Sequence, residues 1–348
     1  MNIQQLGFDR NRKEEAREWL ASGFVPARVA QEHKGMYTLL TEHGDMYGTI
    51  SGKMNFESYK REDYPAVGDW VMCQARPTEA RATIHHILQR TSKFSRKMAG
   101  VTTEEQIIAT NIDTVFLVNA LNNDFNTRRI ERYLLMAWES GANPVIVLSK
   151  ADLCEKVEER VKEVENVALG VPIIVISSET GAGLEQLSPY LREGTTVALL
   201  GSSGAGKSTL VNRLYGKEIQ KVKEIREGDD KGKHTTTHRE LFLLPHGGAL
   251  IDTPGMRELQ LWNTNDGLSE SFQDIEALTD RCKFRDCQHE DEPGCAVKAA
   301  MDSGELAEER FESYRKLQRE LAYLERKSDQ KAKLEEKKKW KTISKSRR

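Results

Sequence analysis

The chain has 348 residues, with 52 Lys and Arg against 54 Asp and Glu and a net charge of −2. That length accommodates two or three domains, each with its own core, and the near balance of charge does not mark a nucleic-acid binder. No apolar run approaches the length needed to cross a bilayer, and Met1 to Leu20 lacks the apolar centre of a signal peptide. A soluble, cytoplasmic protein with no membrane partner is therefore expected.

Residues 1 to about 22 read as a short charged helix or a loose arm. Five short strands follow, at Ala27–Ala30, Met36–Leu40, Met46–Ile50, Asp69–Met72 and Ala82–Ile87, separated by Gly35, Gly44-Asp45, Gly52 and Pro65 to Gly68. So many short strands with polar turns in so short a span predict a small closed barrel, such as an oligonucleotide-binding (OB) fold, or another small β domain. After Gln89 strands and helices alternate. Thr114–Val118 is a buried-type strand, Arg128–Ser140 an amphipathic helix, and Pro144–Leu148 a strand ending at Ser149-Lys150-Ala151-Asp152. A charged helix, a strand at Pro172–Ile176 and a helix at Leu184–Leu191 come next, then a strand at Thr196–Leu200 and a helix at Ser208–Tyr215. A hairpin of Glu240–Leu244 and Ala249–Ile251 leads into Asp252. Continuous apolar strands alternating with helices predict a mostly parallel sheet covered on both faces, with ligand loops at the carboxyl ends of its strands. From about Leu268 to Tyr323 the pattern is helical, and the rest is a charged tail. The expected division is 1–92 for arm and barrel, 93–264 for the α/β domain, 265–325 for a helical segment and 326–348 for the tail.

Gly201-Ser202-Ser203-Gly204-Ala205-Gly206-Lys207-Ser208 is a phosphate-binding loop between a strand and a helix. Its glycines let backbone N–H groups converge on phosphate oxygens, Lys207 can reach the β and γ phosphates, and Ser208, followed by Thr209, offers a hydroxyl to Mg²⁺. Asp252-Thr253-Pro254-Gly255 lies downstream: Asp252 is placed to hold the metal through water, and Gly255 to present its N–H to the γ-phosphate. Ser149-Lys150-Ala151-Asp152 suits guanine, because a carboxylate at Asp152 accepts from both N1–H and N2–H₂, an arrangement adenine does not offer. Ser177 and Ser178 open the supporting loop after the next strand. The base-reading loop lies about fifty residues before the phosphate loop, whereas the usual order is the reverse. A nucleotide site is a point in space, so the order marks a circularly permuted GTPase. Asparagine or threonine is usual where Ser149 stands; serine keeps a hydroxyl but is shorter, so weaker nucleotide affinity is expected, with Asp152 still protecting the choice of guanine.

Thr235-Thr236-Thr237 occupies the place of a switch loop, with Thr236 the candidate to complete the Mg²⁺ shell. Met256 stands where many GTPases use glutamine to orient the attacking water, and methionine cannot do so. His234 is the local candidate for that catalytic role; a surface histidine on a loop is the plainer reading of the same residue.

Cys282, Cys287, His289 and Cys295 follow a compact Cys-x₄-Cys-x-His-x₅-Cys spacing. Three thiolates and one imidazole make a closed tetrahedral shell for one structural Zn²⁺. Arg326 to Arg348 holds 11 Lys and Arg against 3 Asp and Glu, a net of +8 that leaves the remainder at −10. That tail, with Trp340 able to stack on a base, suits RNA phosphates or is simply a solvated end.

Loop order, the Gly232 to Thr237 stretch, the barrel and the Cys₃His segment together resemble the RsgA (YjeQ/YloQ) family of small ribosomal subunit-dependent GTPases. The resemblance covers most of the chain. It implies an N-terminal OB-fold barrel, a central circularly permuted P-loop GTPase domain and a C-terminal helical zinc-binding segment. It also implies binding to the 30S subunit through 16S rRNA, a role late in its assembly, and GTP hydrolysis stimulated by that subunit. A monomer is expected. Two other readings share the motifs: an RNA-binding checkpoint for which GTP is only a ligand, and a permuted GTPase acting on 50S subunits or tRNA.

Overall fold

The computed structural model describes residues 2–33, 35–97, 105–216, 239–245, 247–252, 268, 271–290, 292–323 and 326. They form two compact units, one of residues 1–133 with 140–260, the other of 134–139 with 261–348. Among the described residues no helix is long and apolar enough to cross a membrane.

The first unit opens with a 3₁₀ turn at Ile3–Leu6 and two short helices, α1 (Arg10–Glu15) and α2 (Arg17–Ala21). Five strands then close a barrel: β1 (Val25–His33), β2 (Met36–Thr41), β3 (Gly44–Ile50), β4 (Trp70–Arg76) and β5 (Arg81–Ile87). Their order is β1-β2-β3-β5-β4, and a further pairing of β1 with β4 completes the ring. All five predicted strands are present. Helix α3 (Gly52–Glu57), capped by the Ser51 hydroxyl, fills the connection after β3. Val29, Tyr37, Leu39, Val71 and Ile84 point inward and are almost fully buried. The closed OB-like barrel is the small β domain that the strand spacing predicts.

A hairpin the sequence pattern did not reveal follows, β6 (Lys93–Lys97) with β7 (Glu105–Thr110). Then come β8 (Thr114–Ala120), α4 (Thr127–Ser140), β9 (Asn143–Ser149), α5 (Val157–Glu165), β10 (Ile173–Val175), β11 (Thr196–Gly201), α6 (Lys207–Tyr215), β12 (Glu240–Leu243) and β13 (Ala249–Asp252). The α/β strands run in the order β10-β9-β8-β11-β13-β12, and β12 alone is antiparallel to its neighbour there. Every residue of β8 and β11 is buried, as continuous apolar strands covered on both faces require. Phe116, Val147, Ile174, Leu199 and Leu210 form the core between sheet and helices. The predicted helix at Leu184–Leu191 is a 3₁₀ segment, Leu184–Tyr190, with Pro189 inside it. Proline lacks an N–H and crowds the preceding turn, so a regular α-helix is not sustained there.

Barrel and α/β sheet join edge to edge where β1 meets β12, at Gln31 opposite Glu240. Beside that seam lies Arg28, fully buried on β1. Its Nε donates to Gly68 O (2.8 Å), Nη1 to Leu6 O (2.5 Å), and Nη2 to Asn111 O (3.0 Å) and Thr196 Oγ1 (3.1 Å). Burial, aided by the charge of Arg12, lowers this guanidinium to about 9, so it remains charged at neutral pH. One side chain thereby fixes the arm, the barrel and the first residue of β11, the strand that enters the phosphate loop. Arg28→Ala strips several carbonyls of a charged donor and leaves a cavity. It is expected to destabilise the protein by about 3 kcal/mol or more. Urea unfolding measures this, and a loss below about 0.5 kcal/mol would show that the seam is held by something else.

The second unit's described helices are Gln273–Thr279, Ala296–Ser303 and residues 308–323. Phe272, Ile275, Val297, Phe311 and Tyr314 are buried among them, and Arg310 pairs with Asp274 through two contacts, at 2.6 and 2.7 Å.

Candidate nucleotide site and metal centre

Strand β11 lies between β8 and β13, parallel to both, and ends at Gly201. A Cβ at Gly201 would sit 2.3 Å from Val118 O on β8, so only glycine lets the chain turn there. Gly206, at φ 89, is the N-cap of α6 in the left-handed region that glycine alone adopts at no steric cost. Residues 202–206 thus fold over the amino end of α6, whose unsatisfied N–H groups and dipole favour an anion. Lys207 Nζ spans the loop, donating to the carbonyls of Gly201 and Ser202, both at 2.7 Å. Ser203 and Gly204 are exposed at the tip, Ala205 is buried beneath it, and Ser208 and Thr209 lie half-buried in the first turn of α6. Asp252 ends the neighbouring strand, one residue beyond the pair Ile251–Ala198.

Strand β9 delivers the base-reading loop beside this one. Ser149 is buried, and its hydroxyl lies 2.6 Å from Ala205 O and 3.3 Å from Asn119 O. The serine hydroxyl thus reaches the phosphate loop through a short hydrogen bond, because β9 carries it close to Ala205. Lys150 takes a left-handed φ of 60, which turns the chain into the 3₁₀ turn Ala151–Leu153 and sets Asp152 on it. Ser177 Oγ donates to Asp152 Oδ1 at 2.5 Å and accepts from Thr180 N at 3.1 Å. Bonds from Ser177 N to Ala182 O and from Gly181 N to Ser177 O close the supporting loop. Ser178 Oγ is buried and has no hydrogen-bond partner among the described residues, an orphaned polar atom that suits a ligand rather than a packed core.

The structure thus brings together Ser149, Lys150, Ala151, Asp152, Ser177, Ser178, the 201–209 loop and Asp252 at adjacent carboxyl ends of parallel strands. His234, Thr236 and Gly255 lie outside the described residues, as do Met256 and most of the basic tail. Two residues escaped sequence reasoning. Arg213 of α6 donates from Nε to Ser178 O and from Nη2 to Glu179 O, both at 2.6 Å, clamping the supporting loop to the phosphate-loop helix. No local motif signals that clamp. Asp124, in the turn after β8, accepts from Ser202 Oγ at 2.5 Å. Its position at the carboxyl end of a buried parallel strand was the available signal.

In the second unit, Cys282, Cys287, His289 and Cys295 offer ligand atoms that all lie within 4.8 Å of one another. Sγ of Cys282 and of Cys295 are 4.0 Å apart, and each is 3.5 to 3.6 Å from His289 Nδ1. Thiolates bound tetrahedrally at about 2.3 Å stand about 3.8 Å apart, so the cage has the size for zinc. The outer ring nitrogen of His289 faces Thr279 Oγ1 at 3.4 Å, a contact that aims the inner one at the thiols. Burial lowers the His289 imidazole below its ordinary value, the direction that favours the neutral form a ligand needs. Cys295 caps the helix Ala296–Ser303, its Sγ accepting from Lys298 N at 3.3 Å.

Fold and loop geometry define a circularly permuted P-loop GTPase. Base-reading and phosphate loops meet in space although the first precedes the second in the chain, and the donor set fits GTP with Mg²⁺. The RsgA GTPase family model matches residues 87–262. An ABC transporter model matches 184–345, a span that shares the phosphate loop but excludes the barrel and Asp152. The chain is 49% identical to "Small ribosomal subunit biogenesis GTPase RsgA 1" of Oceanobacillus iheyensis, over 91% of each protein. It is 45% identical to "Small ribosomal subunit biogenesis GTPase RsgA" of Opitutus terrae, over 100% of this chain and 97% of the relative. The crystal structure of YjeQ from Thermotoga maritima superposes with a TM-score of 0.63 at 30% identity, covering 86% of this chain and 99% of that one. YloQ, a circularly permuted GTPase, shares the fold at a TM-score of 0.62. The chain belongs to the RsgA GTPase family, and its activity is hydrolysis of GTP to GDP and phosphate.

Proposed function

We propose that this GTPase acts in late assembly of the small ribosomal subunit, binding the 30S particle through 16S rRNA and hydrolysing GTP in response to it. The observation that carries this reading is the extent of the likeness. Relatives named as small-subunit biogenesis GTPases match across barrel, GTPase domain and Cys₃His segment together. We assign four modules, 1–92, 93–264, 265–325 and 326–348, and a monomer working in the cytoplasm. Ser149 to Asp152, Ser177 and Ser178 read the base. Residues 201–209 and Gly255 hold the phosphates, while Ser208, Thr236 and Asp252 serve Mg²⁺.

Chemically, the site supplies positioning and charge. Phosphoryl transfer needs a cradle for the γ-phosphate, a metal to neutralise developing charge and a group to orient water. The first two have residues assigned. Met256 cannot supply the third, so it falls to His234 or to a group of the 30S particle. Intrinsic turnover is slow unless His234 supplies it, and stimulation by the 30S particle follows where the particle completes the site.

Steady-state GTP hydrolysis, measured alone and with equimolar 30S, 50S or 70S particles, tests this. A rise of about a hundredfold or more with 30S alone is expected, the scale on which supplied groups stimulate other GTPases. Equal rates with 30S and 50S, or no rise with any particle, would overturn the assignment.

A further inference from the structure

The turn after β8 ties the base-reading and phosphate loops together, and nothing in the motifs accounts for it. Leu121 N donates to Ser149 O at 2.8 Å, fixing one end of the turn to the base-reading strand. Asn122 Oδ1 accepts from Asp124 N, and Asn126 Oδ1 accepts from Arg129 N at the start of α4. Arg129 reaches back from α4 and grips Asp124, with Nη1 to Oδ2 at 2.7 Å and Nη2 to Oδ1 at 3.0 Å. The gripped carboxylate accepts the Ser202 hydroxyl. Ser202 in turn lends its carbonyl to Lys207 Nζ. Partial burial works against ionisation of Asp124. Hydrogen bonds from Arg129 and Ser202, with the charges of Arg129 and Lys150, nevertheless hold its carboxyl below the usual range.

We infer that Asp124 is a positioning residue for nucleotide binding: locked by Arg129, it fixes Ser202 and through Ser202 the pose of the phosphate loop and Lys207. The inference rests on the nucleotide site proposed above. Its physical basis is preorganisation, since a loop already held in its binding pose loses less freedom when phosphate arrives. A bare electrostatic effect has the opposite sign. An aspartate near phosphates repels them, so removing it would tighten binding, and GTP would gain more than GDP.

The test is a double-mutant cycle on Asp124→Ala, Ser202→Ala and the pair, read as GTP and GDP dissociation constants by fluorescence titration of the full chain. Each single substitution is expected to weaken both nucleotides by about tenfold, and the double variant no more than the worse single one. The preference for guanine over adenine should not move, because Asp152 is intact. Asp124→Asn keeps an acceptor for Ser202 and should fall between wild type and Asp124→Ala. Melting curves accompany each variant. Should Asp124→Ala fail to fold, Ser202→Ala, which removes a single oxygen, carries the test alone. Affinities within twofold of wild type, tighter binding, or effects that multiply in the double variant would overturn the inference. Wild-type protein that binds no guanine nucleotide would overturn the site itself.

Discussion

Asp152→Asn is expected to cut GTP affinity by about a hundredfold or more and to raise affinity for xanthosine triphosphate. Guanine presents two donors, N1–H and N2–H₂, to the carboxylate. Hydrogen bonds to a charged group contribute about 1.5–3 kcal/mol each, so losing one and opposing the other removes several kcal/mol, or two to three powers of ten. Ser177 decides which way the new amide points. Its hydroxyl accepts from Thr180 N and donates to the 152 side chain, so it selects the amide oxygen and leaves the NH₂ facing the base. That NH₂ opposes guanine N2–H₂ but complements the C2 carbonyl of xanthine. Titration with GTP, XTP and ATP checks the result. Undiminished GTP affinity would place the base elsewhere; weakened GTP binding with no gain for XTP would mean that the amide takes the other orientation.

Removing zinc is expected to unfold the second unit's metal segment while leaving guanine-nucleotide binding in the first. Binding of structural zinc contributes an apparent folding energy on the order of 10 kcal/mol, comparable to the whole stability of an ordinary domain. The segment between Cys282 and Cys295 has little apolar core to substitute for it, since most of its residues are exposed or only half-buried. His289 sits at φ 59, a left-handed conformation that costs about 1 kcal/mol or more and that ligation would hold in place. Hydrogen exchange before and after chelation should show protection lost across 278–303 and retained in β8, β9 and β11. Acid should act like chelator, because protons compete with the metal for the thiolates and the imidazole. A cluster that keeps its protection with no metal bound by elemental analysis would contradict a structural zinc.

Much of the site was legible because its chemistry is local. A phosphate loop needs glycines, a lysine and a hydroxyl within a few residues of one another, and a zinc shell needs four ligands at short spacing. Strands buried on both faces show themselves as unbroken apolar runs, as Thr114–Val118 and Thr196–Leu200 do. The order of the loops required no coordinates either: base-reading before phosphate-binding implies permutation wherever the strands lie. The hairpin of β6 and β7 was missed because its strands, Lys93–Lys97 and Glu105–Thr110, lack the regular alternation that marks a half-buried strand.

The sequence by itself determined the nucleotide class, the permutation, the barrel and the metal ligands, since each is written in neighbouring residues or in repeating apolar patterns. Only the tertiary structure decided how these parts are held against one another. Arg28 meets Thr196 across 168 positions, Asp124 meets Ser202 across 78, and Arg213 grips backbone carbonyls 34 and 35 residues away. The physical reason is that these partners are far apart in the chain and only the fold brings them together; for Arg213 the acceptors are also backbone carbonyls, which accept alike whatever side chain their residue carries. Ser149 makes the same point: nothing in its neighbours in sequence shows that the placement of β9 brings its hydroxyl to 2.6 Å from Ala205 O.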